Sequence, residues 1–345
     1  MNDPTTGRRR TRKDLAFQIV GFLAGLALLA WCIALAFSGD GAAETWERLR
    51  TAPGWARWGL VLTSLGSLLV NSLMFWSLVQ PIRRVGLAEM TGVNLVASML
   101  NYLPMPLRIG MIARIAYHVR VNGMGAIAVA GYFAAVILVT LLVGGALAVT
   151  VVAFPFLGAT LAAIAGLAAL AVGLLLVSVA ARWPPLARFT RDAERVLADR
   201  RALATGIAMR TADALLWSIR MVCAVATLGP ALGIELSLGE SAVLGLVAVA
   251  MSMNPLGRFG FREAGVVWVS GFLFAGRMDA DELERAFARL AIVESAAEGA
   301  VTLPLGAVLV PWFLGKMRKA RRDDGSPRPA DDAPQAVVER QPTQP

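Results

Sequence analysis

Runs of twenty or more apolar residues constrain this chain more than any other feature. A helix needs about 20 such residues to cross the hydrocarbon core of a bilayer. Six runs of that kind lie at about 15–37, 58–80, 126–153, 157–181, 205–228 and 286–314. The turn Phe154-Pro155-Phe156 is expected to separate the third from the fourth. Only 17% of the residues are charged, against about 25% in soluble domains. That excludes a soluble enzyme, a disordered scaffold and a nucleic-acid-binding domain. The net charge of +9 is then read as membrane topology, not as a nucleic-acid signal.

Two further apolar stretches are broken in the middle. One covers 90–118 and is interrupted at Pro104-Met105-Pro106; the other covers 241–275 and is interrupted at Asn254-Pro255-Leu256-Gly257. Proline removes a backbone donor and clashes with the preceding turn. Each stretch is therefore expected to form two half-helices. Free backbone groups at membrane depth need cover from protein or water, which a re-entrant hairpin provides. Two short full spans per stretch is the competing reading.

The basic residues set an orientation. With the N-terminus inside and both hairpins re-entrant, 23 Lys and Arg fall on inside segments and seven on outside segments. Arg210, Arg220 and Arg289 lie within spans. This bias predicts cytoplasmic termini and insertion in the plasma (inner) membrane. Tryptophans at 46, 55, 58, 183 and 312 fall near span ends, where such rings prefer the interface. The order span, broken helix, span occurs twice, over about 58–153 and 205–314, with opposite orientation. The expected fold is an all-α polytopic membrane protein of about six full spans and two re-entrant hairpins, arranged as an inverted repeat. A basic tail (1–14), one transmembrane domain (15–320) and a disordered cytoplasmic tail (321–345) complete it.

Cys32 and Cys223 sit in apolar runs and offer neither a disulfide framework nor a metal motif. The one histidine, His118, is expected at the membrane interface. No metal and no cofactor is expected.

The polar residues inside this apolar chain are the candidates for function. At the first break these are Asn101, Arg108, Gly110 and Arg114, with Pro104 and Pro106 forming the break itself. The half-helix that follows turns its free N–H groups and positive dipole end inward, an arrangement that attracts an anion. Arg120 lies further on, toward the interface. At the second break the candidates are Gly257, Arg258, Gly260, Arg262 and Glu263, after Pro255. Glu263 is expected either to complement the helix dipole or to pair with Arg262 or Arg258. In the later spans Arg210, Asp213 and Arg220 share one face, while Arg289, Glu294 and Glu298 lie on the last span. Two glutamates four residues apart repel unless a cation meets them. Arg220 or Arg210 is the expected partner across the interface.

Two segments resemble a known family. They are Pro106-x-Arg108-x-Gly110 followed by Arg114, and Pro255-x-Gly257 followed by Gly260 and Glu263. In this order they resemble the membrane domain of lysylphosphatidylglycerol synthases and related stand-alone flippase-like proteins, over about 15–315. Met111 stands where the family often has an acidic residue, and Tyr132-Phe133 stands near the place of its frequent Glu-Arg pair. The resemblance implies the lipid-translocating half, without the aminoacyl-transferase domain. The expected function is binding and flipping of an anionic phospholipid or polyprenyl-phosphate-linked lipid. Membrane lipids are the expected partners, with a separate lipid-modifying enzyme and a homo-oligomer as further candidates. A membrane-embedded transferase acting on a lipid phosphate, or a solute transporter, is the alternative.

Overall fold

The computed structural model describes residues 12–37, 41–102, 109–180, 196, 198–229, 232–233, 235–252 and 260–323. Among these residues the regular structure is entirely helical. The helices are α1 (Arg12–Ala36), α2 (Gly41–Thr51), α3 (Gly54–Val79), α4 (Leu87–Leu100) and α5 (Ile109–Arg120). They continue with α6 (Ala126–Ala180), α7 (Arg200–Leu228), α8 (Leu238–Ser252), α9 (Phe261–Leu273) and α10 (Ala280–Asp323). Segments Gly54–Val79, Ala126–Leu176, Arg200–Leu228 and Ala280–Arg322 are long and apolar enough to cross a membrane.

Helices α3 and α7 form the spine. They run antiparallel, because Gly59 meets Cys223, Gly66 meets Leu216 and Gly206 meets Leu78. Without hydrophobic driving force in lipid, helices associate through close packing, and small residues permit it. A glycine on one helix here receives a larger side chain from the other at three levels.

Each broken stretch is a pair of packed half-helices. Gly110 on α5 presses on the Ala97 carbonyl of α4. Near the other ends the Tyr117 hydroxyl donates to Glu89 at 3.0 Å. The register therefore runs antiparallel along the pair. In the second pair, Gly265 on α9 seats against Met251 on α8. The four half-helices have 14, 12, 15 and 13 residues. At 1.5 Å per residue each reaches only about 18–22 Å, short of a core of about 30 Å.

The hairpins dock reciprocally. α4 packs on α3 and on α10, where Gly92 receives Trp312 and Gly306 receives Met99. α8 packs on α7 and on α6, where Gly239 receives Phe154. α5 touches α6 as α9 touches α10. One apolar core gathers α1, α3, α7, α8, α9 and α10, and a second gathers α3, α4, α6 and Val196.

Several expectations change. The reversal between the third and fourth runs is at Gly158 (φ 74), not at Phe154-Pro155-Phe156. Pro155 is accommodated in the helix, whereas reversal needs a left-handed residue, which glycine adopts without strain. Past the reversal the chain folds back on itself, with Gly166 against Thr150 and Gly173 against Leu142. His118 is fully buried within the protein. It lies edge-on to Tyr132 (5.4 Å between centroids) with the Asn122 amide 3.0 Å from Nδ1. Trp312 is stacked on Tyr117 and takes part in helix packing. Trp46, Trp55 and Trp58 are exposed, and Trp183 lies outside the described residues. Helix α10 continues to Asp323, past the expected end of its domain at 320, because Lys316–Arg322 prolongs it with strong helix formers.

Candidate functional site

Two arginines and two glutamates meet in the interior. Glu294 and Glu298 are one turn apart on α10, so both face the same way. Arg220 reaches them from α7: its Nε donates to Glu294 and its Nη2 to Glu298 at 3.2 Å. Arg262 reaches them from α9: its Nη2 donates to Glu294 and its Nη1 to Glu298 at 3.0 Å. Each guanidinium thus bridges both carboxylates. All four side chains are buried. Burial of unpaired charge would cost several kcal/mol per ion, and only mutual pairing with good geometry offsets it. Trp217, one turn before Arg220, adds a ring face 4.3 Å from the Arg220 guanidinium carbon and 4.5 Å from that of Arg262.

The start of α9 explains how Arg262 gets there. Gly260 has φ 79 and turns the chain into the helix. Its N–H donates to Oε2 of Glu263 at 2.9 Å, satisfying one orphan donor of the first turn. The other oxygen of Glu263 accepts from Ser295 at 2.6 Å. Glu263 therefore takes the capping role. Its oxygen is 4.0 Å from Arg262 Nε, a secondary contact beside the two bridged carboxylates.

A polar stripe on α3 extends this centre. Ser64, Ser67 and Asn71 recur at three- and four-residue spacing and so share one face. Arg220 Nη1 donates to Ser64 at 3.3 Å. Ser67 donates to Asp213, which also receives Arg210 at 2.5 Å. Arg210 is 3.5 Å from the Asn71 oxygen. Arg210 therefore turns to Asp213 and α3, not to the glutamates. Arg289 is elsewhere, donating to the Ala36 carbonyl of α1 at 2.7 Å.

The first hairpin carries its own buried arginine. Arg114 on α5 donates to Asn94 on α4 at 2.6 Å and lies 4.1 Å over the Phe75 ring of α3. Asn94 in turn donates to Ser72 at 2.9 Å. Asn101 accepts from the Gly110 N–H at 3.1 Å, closing the hairpin at its tip. Arg120 is exposed. Pro104, Pro106, Arg108, Pro255, Gly257 and Arg258 lie outside the described residues.

The two hairpins thus share a plan. The second half-helix of each sends an arginine over an aromatic ring of a spine helix: Arg114 over Phe75 on α3, Arg262 over Trp217 on α7. Reasoning from the chain alone missed both rings, Ser64, Ser67, Asn71 and Asn94. The three-residue step from Trp217 to Arg220, and the regular polar positions in an otherwise apolar α3, were the available signals.

The family model for the lysylphosphatidylglycerol synthase TM region matches residues 22–277, from α1 through both hairpins. No curated protein and no solved structure matches the chain.

Proposed function

Because the chain belongs to the lysylphosphatidylglycerol synthase TM-region family and is an integral membrane protein of that lipid-related group, we propose that it binds an anionic lipid and moves its headgroup across the bilayer. The observation that carries the reading is the repeated placement of a buried arginine on the second half of each hairpin. Arginine recognises phosphate in a planar, multidentate way. A lipid phosphate can exchange with Asn94 at Arg114, while its acyl chains remain in the bilayer. The neutral Asn94 is an easier partner to displace than the carboxylates that hold Arg262.

In this reading the hairpins are re-entrant and the two units form an inverted repeat. Reciprocal docking, α4 on α10 and α8 on α6, supports that arrangement. Inverted units with broken helices suit alternating access around a central site. Both termini face the cytoplasm, and the protein is placed in the plasma membrane. It acts by binding and movement of lipid, not by chemical conversion, on lipid that a separate enzyme modifies or supplies.

The test is reconstitution of the full chain in phosphatidylcholine vesicles carrying a fluorescent phosphatidylglycerol. Dithionite quenching reads movement between leaflets, and mass spectrometry of the same vesicles reads conversion. Movement above that of empty vesicles, absent in Arg114→Ala at equal incorporation, is the expected result. Conversion without movement would replace this reading with the transferase.

A further inference from the structure

A second polar feature lies away from both hairpin tips, at the end of the bundle where α1 and α7 finish and α10 begins. It is a cleft of about 240 Å³ lined by Leu232, Glu282, Arg285, Ala286 and Arg289. Arg285 and Arg289 are four residues apart on α10, so they line it from one helix face. Arg289 is held by the Ala36 carbonyl. Arg285 makes no hydrogen bond or ion pair with any described residue, although it is only partly exposed. Glu282, one turn earlier in the same cleft, is not within ion-pair distance of it. By contrast Arg277, nearby in sequence, pairs with Glu240 at 2.5 Å. A water molecule takes about 30 Å³ of liquid volume, so the cleft is large enough for a phosphate ester group.

We infer that this cleft is a phosphate-binding site, in which Arg285 and Arg289 hold the anion between them. An anion there supplies Arg285 with the charge-assisted hydrogen bonds it lacks. Leu232 and Ala286 give the site an apolar margin. The ligand is an anionic headgroup at the membrane surface or a free phosphate, which share this chemistry. The site goes beyond the translocation reading and is independent of it. A protein that never moves lipid would still bind here.

The full chain in phosphatidylcholine nanodiscs is titrated calorimetrically with dihexanoyl-phosphatidylglycerol in one arm and inorganic phosphate in the other. Arg285→Ala and Arg285→Glu are compared with the control Arg277→Ala. The expected result is a saturable component, still present in Arg114→Ala, that weakens about tenfold or more in both Arg285 variants and stays within about twofold in the control. Binding of the short lipid alone assigns the site to a membrane headgroup. Equal binding of inorganic phosphate assigns it to a water-soluble anion. If neither probe binds in an Arg285-dependent way, or if Arg277→Ala loses as much, the site is overturned. Melting temperatures equal to wild type exclude unfolding of the Arg285 variants as the cause.

Discussion

Arg220 and Arg262 share the same two carboxylates, Glu294 and Glu298, and the same aromatic ring, Trp217. One arginine belongs to the spine and the other to the second hairpin, so this centre ties the hairpin to both α7 and α10. Removing one partner of a buried pair costs about 3–5 kcal/mol, and removing both costs much less. Arg220→Leu should therefore lower the melting temperature strongly. Arg220→Leu combined with Glu298→Leu should recover part of the loss. Thermal unfolding in one detergent reads both, and a double variant no more stable than Arg220→Leu would disprove the pairing.

Arg262→Lys should behave more like Arg262→Leu than like wild type. An ammonium is a point charge and cannot bridge two carboxylates in the fork geometry of a guanidinium. The expected loss is about 2–4 kcal/mol for lysine and about 3–5 kcal/mol for leucine. Full stability of Arg262→Lys in the same melts would show that charge alone, without the fork, holds the hairpin.

Gly110→Ala and Gly245→Ala should each destabilise by about 1–3 kcal/mol or more. A methyl at Gly110 runs into the Ala97 carbonyl, and one at Gly245 runs into the backbone at Ser218. Gly145→Ala meets open space and should be neutral or gain up to about 1 kcal/mol in helix propensity. Equal behaviour of the three would mean that α4–α5 and α7–α8 do not pack this closely.

The long elements were legible in the chain because hydropathy depends on composition over a window. The breaks were legible because proline acts locally. The reversal at Gly158 was not, since glycine marks both helix packing and turns, and the nearby Pro155 is the louder signal. The site divides in the same way. The spacing of Glu294 and Glu298 demands a cation, and helical geometry put Arg220 among the candidates. Arg262 escaped as a partner because its direction depends on the turn at Gly260, which nothing in the spacing specifies. The burial of His118 is not legible in the chain, because it depends on neighbours such as Tyr132, fourteen residues away on another helix.

Arg114→Ala should weaken about tenfold or more a lipid-binding component that persists in Arg285→Ala, and Arg120→Ala should leave that component within about twofold. Arg114 is buried beside Asn94 and Phe75, where a charge-assisted hydrogen bond contributes about 1.5–3 kcal/mol. Arg120 is exposed, where ion pairs contribute about 0–1 kcal/mol. Titration with a short-chain phosphatidylglycerol at matched expression distinguishes them. Equal losses would place the headgroup away from Arg114.

Reporter fusions after Pro345 and within 38–57 should report opposite sides of the membrane, with the first cytoplasmic. The basic bias of the chain is the reason. A C-terminal reporter active only outside would invert the whole map.

Helix α10 serves both hairpins along one axis. Its glutamates at 294 and 298 hold the second, and its surface around Gly306 and Trp312 seats the first. Glu298 and Gly306 are separated by about 12 Å of helix rise. A stiff rod bearing both loads would make the two halves tilt together, like the ends of a beam. Pro304 lies between those loads, and its ring leaves the Ala300 carbonyl without the usual helical donor. The rod therefore has a missing backbone bond between its two seats, and its resistance to bending is lowest there.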